Sequence, residues 1–336
     1  MPNYNGQDFL PACLGSLLRL DYPDYRVMVV DNASTDGSVA LIKKEFPQVE
    51  IIQNRRNTGF AGGCNSGLKR ALEGTARYFV LVNNDTTADP DWLRELVAAA
   101  DSDPRIGLCQ SMIYLDGEPE RINSAGNEAH YLGFGYCGHY LEVDRGQFPE
   151  VADVPFASGT ALLLRRETLE EIGLLDEDFF MYQEDMDLGW RARLAGWRVV
   201  LASRSRIHHS YSFSRNPEKF YYLERNRLVM SLKNYSGRSL LVMAPAFLGA
   251  ETAMLAYSVA GGWFRQKLRG YLYLIRNFDA INRKRRQVQL LRQTGDSEAT
   301  AFWTSRMGFA DLRESRLTKI ANPVSAAYWK LARKLI

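Results

Sequence analysis

The run Tyr78-Phe79-Val80-Leu81-Val82 passes directly into Asn83-Asn84-Asp85, and this abrupt change constrains the chain more than any other feature. Five apolar residues, β-branched and aromatic among them, have the length of a buried strand. In an α/β sheet, side chains at the C-terminal end of a strand stand where ligands bind. A carboxylate there can hold a hard divalent cation against a diphosphate. Asn and Asp also end strands as plain turn residues, so the segment acquires meaning from two others. These are Val29-Val30-Asp31-Asn32-Ala33-Ser34-Thr35-Asp36-Gly37 before it and Tyr182-Gln183-Glu184-Asp185-Met186-Asp187 after it.

Periodicity predicts helices over 9–20, 37–46, 64–72 and 90–100, the last with Pro90 at its start. Short apolar strands are expected at 27–30, 49–52 and 78–82. Further on come a strand over 156–165, helices over 167–172 and 184–195, and a last strand over 198–202. Strands alternating with helices imply an α/β fold with a doubly wound, mostly parallel sheet. Residues 57–63 read as a polar Gly-rich loop, and 116–153 as an irregular insertion rich in Gly and aromatics.

The 336 residues, 46% hydrophobic and 24% charged, allow a sizeable core and exclude global disorder. A net charge of +3 gives no reason to expect a nucleic-acid partner. None of the four cysteines, Cys13, Cys64, Cys109 and Cys137, forms a C-x-x-C pair. They read as reduced thiols of a cytoplasmic protein. His130, Cys137 and His139 lack a fourth ligand at zinc spacing and read as loop residues. The opening Met1–Gly6 is polar, unlike a signal peptide.

In order and spacing, Asn3-Tyr4-Asn5-Gly6, Val30 to Ser38, Asn57-Thr58-Gly59-Phe60-Ala61-Gly62-Gly63, Asn83-Asn84-Asp85 and Glu184-Asp185-Met186-Asp187-Leu188 form one set. The set resembles the family 2 inverting glycosyltransferases, which have the glycosyltransferase A-type fold. Phe156-Ala157-Ser158-Gly159 and the basic C-terminal region resemble the rhamnosyltransferase-like branch. The resemblance implies that Asp31 accepts a hydrogen bond from a uracil or thymine imide; its own alternative is a helix N-cap. It implies nucleotide contacts from Asn3, Tyr4, Asn57, Gly59, Asn65, Asn83 and Asn84. Asp85 would bind Mg²⁺ or Mn²⁺ through the diphosphate, with His209 facing the same group ahead of Ser210-Tyr211-Ser212-Phe213-Ser214. Many relatives carry Asp where Asn83 stands, and an asparagine often stands where Cys64 does. Asp185 would be the general base, with Glu184 as the alternative and Asp187 third. Asp187 can instead pair with Arg191 at i+4. The family's first strand is absent ahead of Asn3, so a misassigned start codon or a truncated chain is expected.

After residue 215 the pattern changes. A helix is expected over 221–234, then an apolar segment 239–264 containing only Glu251 as a charge and Pro245 as a breaker. From Arg265 to Arg292 there are nine Lys/Arg and one acid, Asp279. Basic flanks at both ends suit a segment lying on a membrane surface, the alternative being a helical hairpin packed on protein. The expected organisation is a catalytic domain over 1–235 and a helical extension over 236–336. The resemblance implies an inverting glycosyltransferase, peripheral at the cytoplasmic face of the membrane. It would carry a sugar, rhamnose being the candidate, from a nucleoside diphosphate to a glycan or lipid-linked oligosaccharide. The rival readings are a sugar nucleotidylyltransferase, whose Gly-rich loop with Arg and Lys is lacking here, and a non-catalytic nucleotide-binding scaffold.

Overall fold

The computed structural model describes residues 1–210, 217–307 and 316–336. It contains two compact units. The first takes in Met1–Asn127, Cys137–Ala192 and residues 197–210. The second comprises Glu128–Tyr136, Arg193–Gly196 and the helices from residue 217 onward.

The first unit opens with β1 (Pro2–Asn3), α1 (Leu10–Leu17), β2 (Met28–Asp31), α2 (Ser38–Glu45), β3 (Glu50–Gln53), α3 (Gly59–Leu72) and β4 (Tyr78–Val82). β1, β2 and β3 form a parallel three-stranded sheet. Pro2 pairs with Val30 and Asn3 with Asp31, so the two residues of β1 set the register that places Asn3 beside Asp31. Next come β5 (Thr86–Ala88), α4 (Trp92–Asp101), β6 (Ile106–Leu115), β7 (Glu118–Ser124), β8 (Asn127–Ala129), β9 (Gly135–Cys137), β10 (Val151–Asp153), β11 (Ala161–Arg165), α5 (Arg166–Ile172), α6 (Glu184–Leu194) and β12 (Arg198–His209), of which residues 128–136 and 193–194 fall in the second unit. A second sheet runs β10-β12-β6-β11-β4, with β5 on β12 and β7 on β6. In it β6 and β12 are parallel and the other pairs antiparallel. The α/β alternation is as the sequence predicts; its second half is a mixed sheet.

α1 forms because Leu10, Cys13, Leu14 and Leu17 recur at helical spacing, and all four are buried. Cys13 and Leu17 pack with Trp92, Leu96, Ile106, Ile113, Leu163 and Val200. Leu10 and Leu14 pack with Val29, Ile42 and Val49. One helix thereby contributes to two cores, and each buried leucine stabilises by about 1.5–3 kcal/mol.

The structure corrects two expectations. Residues 59–63 are not a loop but the first turns of α3. Gly59 starts the helix at φ +73°, and a side chain at Gly63 would meet Asn32 Nδ2 at 2.8 Å and Pro2 Cβ at 3.3 Å. The glycines let a helix lie close to β1 and β2, so their composition mimics a loop. The segment before and within 116–153 also holds strands, from β6 to β10. β6 shows no alternation because it lies between β11 and β12 and is buried along nearly its whole length. Its buried polar groups are satisfied: Ser111 accepts from Trp92 Nε1 at 2.7 Å, and Gln110 accepts from the Ser158 amide at 2.7 Å.

The second unit contains α7 (Pro217–Asn234), α8 (Gly237–Ala260), α9 (Phe264–Arg276), α10 (Phe278–Leu290), α11 (Asp296–Ala299) and α12 (Arg316–Ala332). α7, placed by the sequence within the catalytic domain, packs against α9 and α10. α8 continues through Pro245 and is long and apolar enough to cross a membrane, yet only 17% of its most apolar window is buried. Its one acidic residue, Glu251, turns inward. There it pairs with Arg227 of α7, with Lys267 Nζ of α9 at 2.7 Å, and accepts from Tyr271 Oη at 2.6 Å. Glu224 joins the group through Arg227 at 2.9 Å and through Lys267. Burial would raise the Glu251 pKa, but the charges of Arg227 and Lys267 outweigh it and hold the carboxylate down at about 2.

Its stabilising contribution is therefore complete above the ordinary carboxylate range and disappears as pH falls toward 2. Glu251→Ala is expected to destabilise the helical unit by on the order of 3–5 kcal/mol, since two buried cations lose a partner. Urea denaturation at pH 7 measures this. A loss within about 0.5 kcal/mol, the range of an ordinary surface substitution, would contradict the assigned role.

Candidate active site

The strand ends of the first unit are joined by side chains. Asn84 Nδ2 donates to Asn3 Oδ1 at 2.7 Å. Asn3 Nδ2 donates in turn to Asp31 Oδ1 at 3.3 Å and to Ser34 Oγ at 3.2 Å. The Ser34 amide donates to Asp31 Oδ2 at 3.1 Å, so Asp31 is buried with both oxygens engaged by its own surroundings. Each carboxylate oxygen retains a further lone pair for a ligand donor. Asp36 Oδ1 accepts from the Ser38 amide at 3.0 Å beside the start of α2, whose N-cap is Gly37. Gly6 makes the junction possible: a Cβ there would lie 2.1 Å from Asn84 Nδ2 and 2.5 Å from Asn3 Oδ1.

A second group sits where β4, β5 and β12 end. Thr86 of β5 pairs with His209 of β12, and the Ser210 amide donates to the Asp85 carbonyl at 2.9 Å. This register brings His209 Nε2 to 3.3 Å from Asp85 Oδ1. Asn83 Oδ1 and Asp85 Oδ1 are both enclosed and take no hydrogen bond from a described residue. Among the described residues, no three His, Cys, Asp or Glu side chains gather to hold a metal. A carboxylate, an imidazole and an orphaned amide oxygen do fit a hard cation that takes its other ligands from a diphosphate and water. His208 faces Asp89 Oδ1 at 3.1 Å, so only His209 reaches Asp85. The Tyr211–Ser214 run that singled out His209 lies outside the described residues.

A third group is the N-terminus of α6. Asp185 Oδ2 accepts from the Gly159 amide at 3.1 Å, and Oδ1 from the Met186 amide at 2.7 Å. Burial raises the Asp185 pKa against these two donors. Glu184 is more deeply buried, and its Oε2 takes no hydrogen bond from a described residue. Burial, followed by the charge of Asp185, pushes its pKa well above the usual carboxylate value. Asp185 keeps some exposure to solvent, as a proton acceptor for a bound substrate requires. Asp187 is fully buried and its Oδ2 accepts from Arg191 Nε at 2.9 Å, the i+4 pair anticipated from sequence. Just before α6, Phe180, Tyr182 and Gln183 all have positive φ, from 63° to 67°. Such backbone costs of order 1–3 kcal/mol per residue and gathers at functional loops.

The remaining expected residues divide. Gly59 packs so closely under Phe180 that a Cβ would meet its carbonyl oxygen at 2.3 Å. Asn57 Oδ1 accepts from the Gly59 amide at 2.8 Å and so organises the start of α3. Tyr4 is 51% exposed beside Asn3. Asn65 requires correction: it is buried, its amide donates to the Leu175 carbonyl and Glu177 Oε1, and its oxygen accepts from the Leu175 amide. Both of its N–H donors and its oxygen are engaged by the segment 175–177. Cys64 is buried too, and burial pushes its thiol up to about 12. In the sequence Gly6 and Asn32 stand only within motifs, without individual roles, and Asn123 stands in none. Asn32 donates to the Gly59 carbonyl at 2.8 Å and accepts from Thr58 Oγ1 at 2.9 Å, tying the end of β2 to α3.

Residues 1–173 match the family model for glycosyl transferase family 2, and the chain belongs to that family. It is an inverting glycosyltransferase that uses a nucleotide sugar, which sets aside the nucleotidylyltransferase and scaffold readings. The N-acetylglucosaminyl-diphospho-decaprenol L-rhamnosyltransferase of Mycobacterium tuberculosis is 29% identical over 235 residues, 64% of this chain and 76% of the relative. The O-antigen biosynthesis protein RfbC of Myxococcus xanthus is 27% identical over 66% of this chain, which spans only 18% of that relative. The structure of Staphylococcus aureus TarS 1–349 in complex with UDP superposes with a TM-score of 0.51 at 18% identity, over 99% of this chain and 88% of that one. That of GalNAc-T7 with UDP, GalNAc and Mn²⁺ does so with a TM-score of 0.57 at 14% identity, over 82% and 56%. At these identities the likeness is one of fold.

The raised Glu184 pKa has a thermodynamic consequence. A buried acid with a raised folded-state pKa favours the fold below the ordinary carboxylate range and loses that contribution as pH rises through the folded value. Glu184→Gln removes the titration. Its melting temperature is expected to match the parent near pH 4 and to exceed it increasingly toward pH 8, by on the order of 1 kcal/mol in stability. Melting curves across pH measure this, and a gap independent of pH would contradict it.

Proposed function

We propose that this glycosyltransferase moves a hexose, with rhamnose as the candidate, from a uridine or thymidine diphosphate donor to a hydroxyl of a lipid-linked glycan. The observation that carries the reading is Asp185, partly open to solvent, held by two backbone amides and raised in pKa beside the buried Glu184. The Asp185 carboxylate takes the proton from the acceptor hydroxyl as its oxygen bonds to the anomeric carbon. The bond from that carbon to the diphosphate oxygen breaks in the same displacement, and its electron pair leaves with the nucleoside diphosphate. A single inversion results.

Asp31 would accept the imide N–H of the base, with Asn3 and Asn84 fixing its position. Cytosine, which lacks that donor, would be disfavoured. Asp85, His209 and the Asn83 oxygen would hold Mg²⁺ or Mn²⁺ against the diphosphate. Such a cation, when bound, neutralises charge developing on the departing group. The GalNAc-T7 structure and that of a Pyrobaculum calidifontis mannosyltransferase contain Mn²⁺ with their nucleotide or nucleotide sugar, which supports a divalent ion. The decaprenol-linked and O-antigen relatives support a lipid-linked acceptor in cell-envelope polysaccharide synthesis.

Release of nucleoside diphosphate from a panel of nucleotide sugars, with Mg²⁺ or Mn²⁺, tests the donor. Asp185→Asn is expected to cut transfer 10²–10⁴-fold, about 3–5 kcal/mol, with donor affinity nearly intact. Near-normal turnover at saturating acceptor would remove Asp185 as the base.

A membrane surface at the cytoplasmic face completes the proposal. On α8, Leu241, Leu248 and Val259 are 79%, 70% and 63% exposed and share one helical face with Pro245, Thr252 and Ala256. On α9, Phe264, Leu268, Leu272 and Ile275 form a second exposed stripe, with Arg265, Arg269 and Arg276 on the same helix. Two uncharged stripes with basic residues beside one of them suit an anionic lipid interface. Leu248→Glu with Ile275→Glu is expected to abolish flotation with anionic liposomes while the protein stays folded. Equal flotation of parent and variant would refute the lipid contact.

A further inference from the structure

The strand β7 carries an extra residue between its partners of Ile113 and Tyr114. Ile113 of β6 pairs with Ser124, yet the next residue, Tyr114, pairs with Ile122. Asn123 is the residue left over, a β-bulge, and bulges beside active sites turn a side chain out of the regular alternation. Here the turned side chain meets His209: Asn123 Oδ1 lies 3.0 Å from His209 Nδ1. Both residues are buried, Asn123 to 3% exposure and His209 to 7%.

A neutral imidazole has one N–H and one lone pair, and the partner of one nitrogen decides the role of the other. With the Asn123 oxygen accepting Nδ1–H, Nε2 presents its lone pair toward Asp85 Oδ1, 3.3 Å away. Two acceptors so placed repel unless a cation lies against both. We propose that Asn123 is a positioning residue: its amide oxygen fixes the Nδ1–H tautomer of His209, so that Nε2 and Asp85 together receive the divalent ion of the nucleoside diphosphate. The inference rests on the metal reading above and adds a residue that acts through His209 alone. Outer partners of this kind hold ring orientation and basicity, and their loss costs 10–100-fold in metal affinity.

Two variants separate an oxygen acceptor from a merely structural amide. Asn123→Asp keeps an acceptor oxygen for Nδ1–H; Asn123→Ala removes it. Electron paramagnetic resonance of Mn²⁺ with uridine or thymidine diphosphate, whichever the parent binds tighter, reads the affinity. The Ala variant is expected to bind 10–100-fold more weakly and the Asp variant within a few-fold of the parent. Long-range ¹⁵N–¹H correlation of the His209 ring, in the parent with Mg²⁺ and the diphosphate, is expected to report Nδ1–H. An Nε2–H ring in that complex overturns the proposal whether or not the Ala variant folds. So does an Asp variant as weak as the Ala variant. If His209→Ala leaves Mn²⁺ binding unchanged, the metal reading itself fails and this inference with it. If His209→Ala weakens binding and neither Asn123 variant does, only the role of Asn123 is lost.

Discussion

The amide of Asn3 is the interaction that ties the strand ends of the first unit together. The first unit has two main sheets, and among the described residues no strand ladder connects them. Asn3 reaches from the end of β1 to Asp31 on one side and to Asn84, just past β4, on the other. An asparagine suits this position because it donates and accepts at once. A carboxylate would repel Asp31, and an alanine would leave Asn84 without its partner. The junction also sets the demand at Gly6, where any side chain would occupy the space of the Asn84 amide.

Elsewhere the site holds groups in states that oppose folding. Glu184 is buried with one oxygen that meets no hydrogen-bond donor among the described residues, and Asp185 is raised in pKa although two amides stabilise its charge. Three residues without the freedom of glycine adopt left-handed backbone immediately before them. The chain a few residues upstream of this segment is held by two side chains. Asn65 holds residues 175–177, and Arg191 holds the carbonyls of Ile172 and Leu174.

Much of this was legible in the sequence, for specific reasons. The strands β2, β3 and β4 and the helices around them announce themselves because each is a short apolar run closed by polar residues. Asp31, Asn83-Asn84-Asp85 and Glu184-Asp185 were legible because they interrupt or follow such runs at strand and helix ends. β6 was not legible: a strand covered on both faces has no alternation, and Gln110 and Ser111 make it look broken. The start of α3 was misread because glycines that permit close packing have the composition of a loop. Asn65 was misread because an asparagine near a Gly-rich segment gives no local sign of the partner 110 residues away that consumes it. Asn123 could not be found at all, since a bulge is a property of two strands in register and neither strand carries it alone.

The carboxylate of Glu251 has a consequence for how the helical unit opens. It is shared by a cation from α7 and by a cation and a phenol from α9, while its own backbone belongs to α8. None of the three helices can peel away without exposing the same ion group. Local openings of the kind that let solvent reach individual backbone amides are therefore coupled across all three. Their protected amides should share one exchange free energy, as a single cooperative foldon, although their sequences differ widely in polarity.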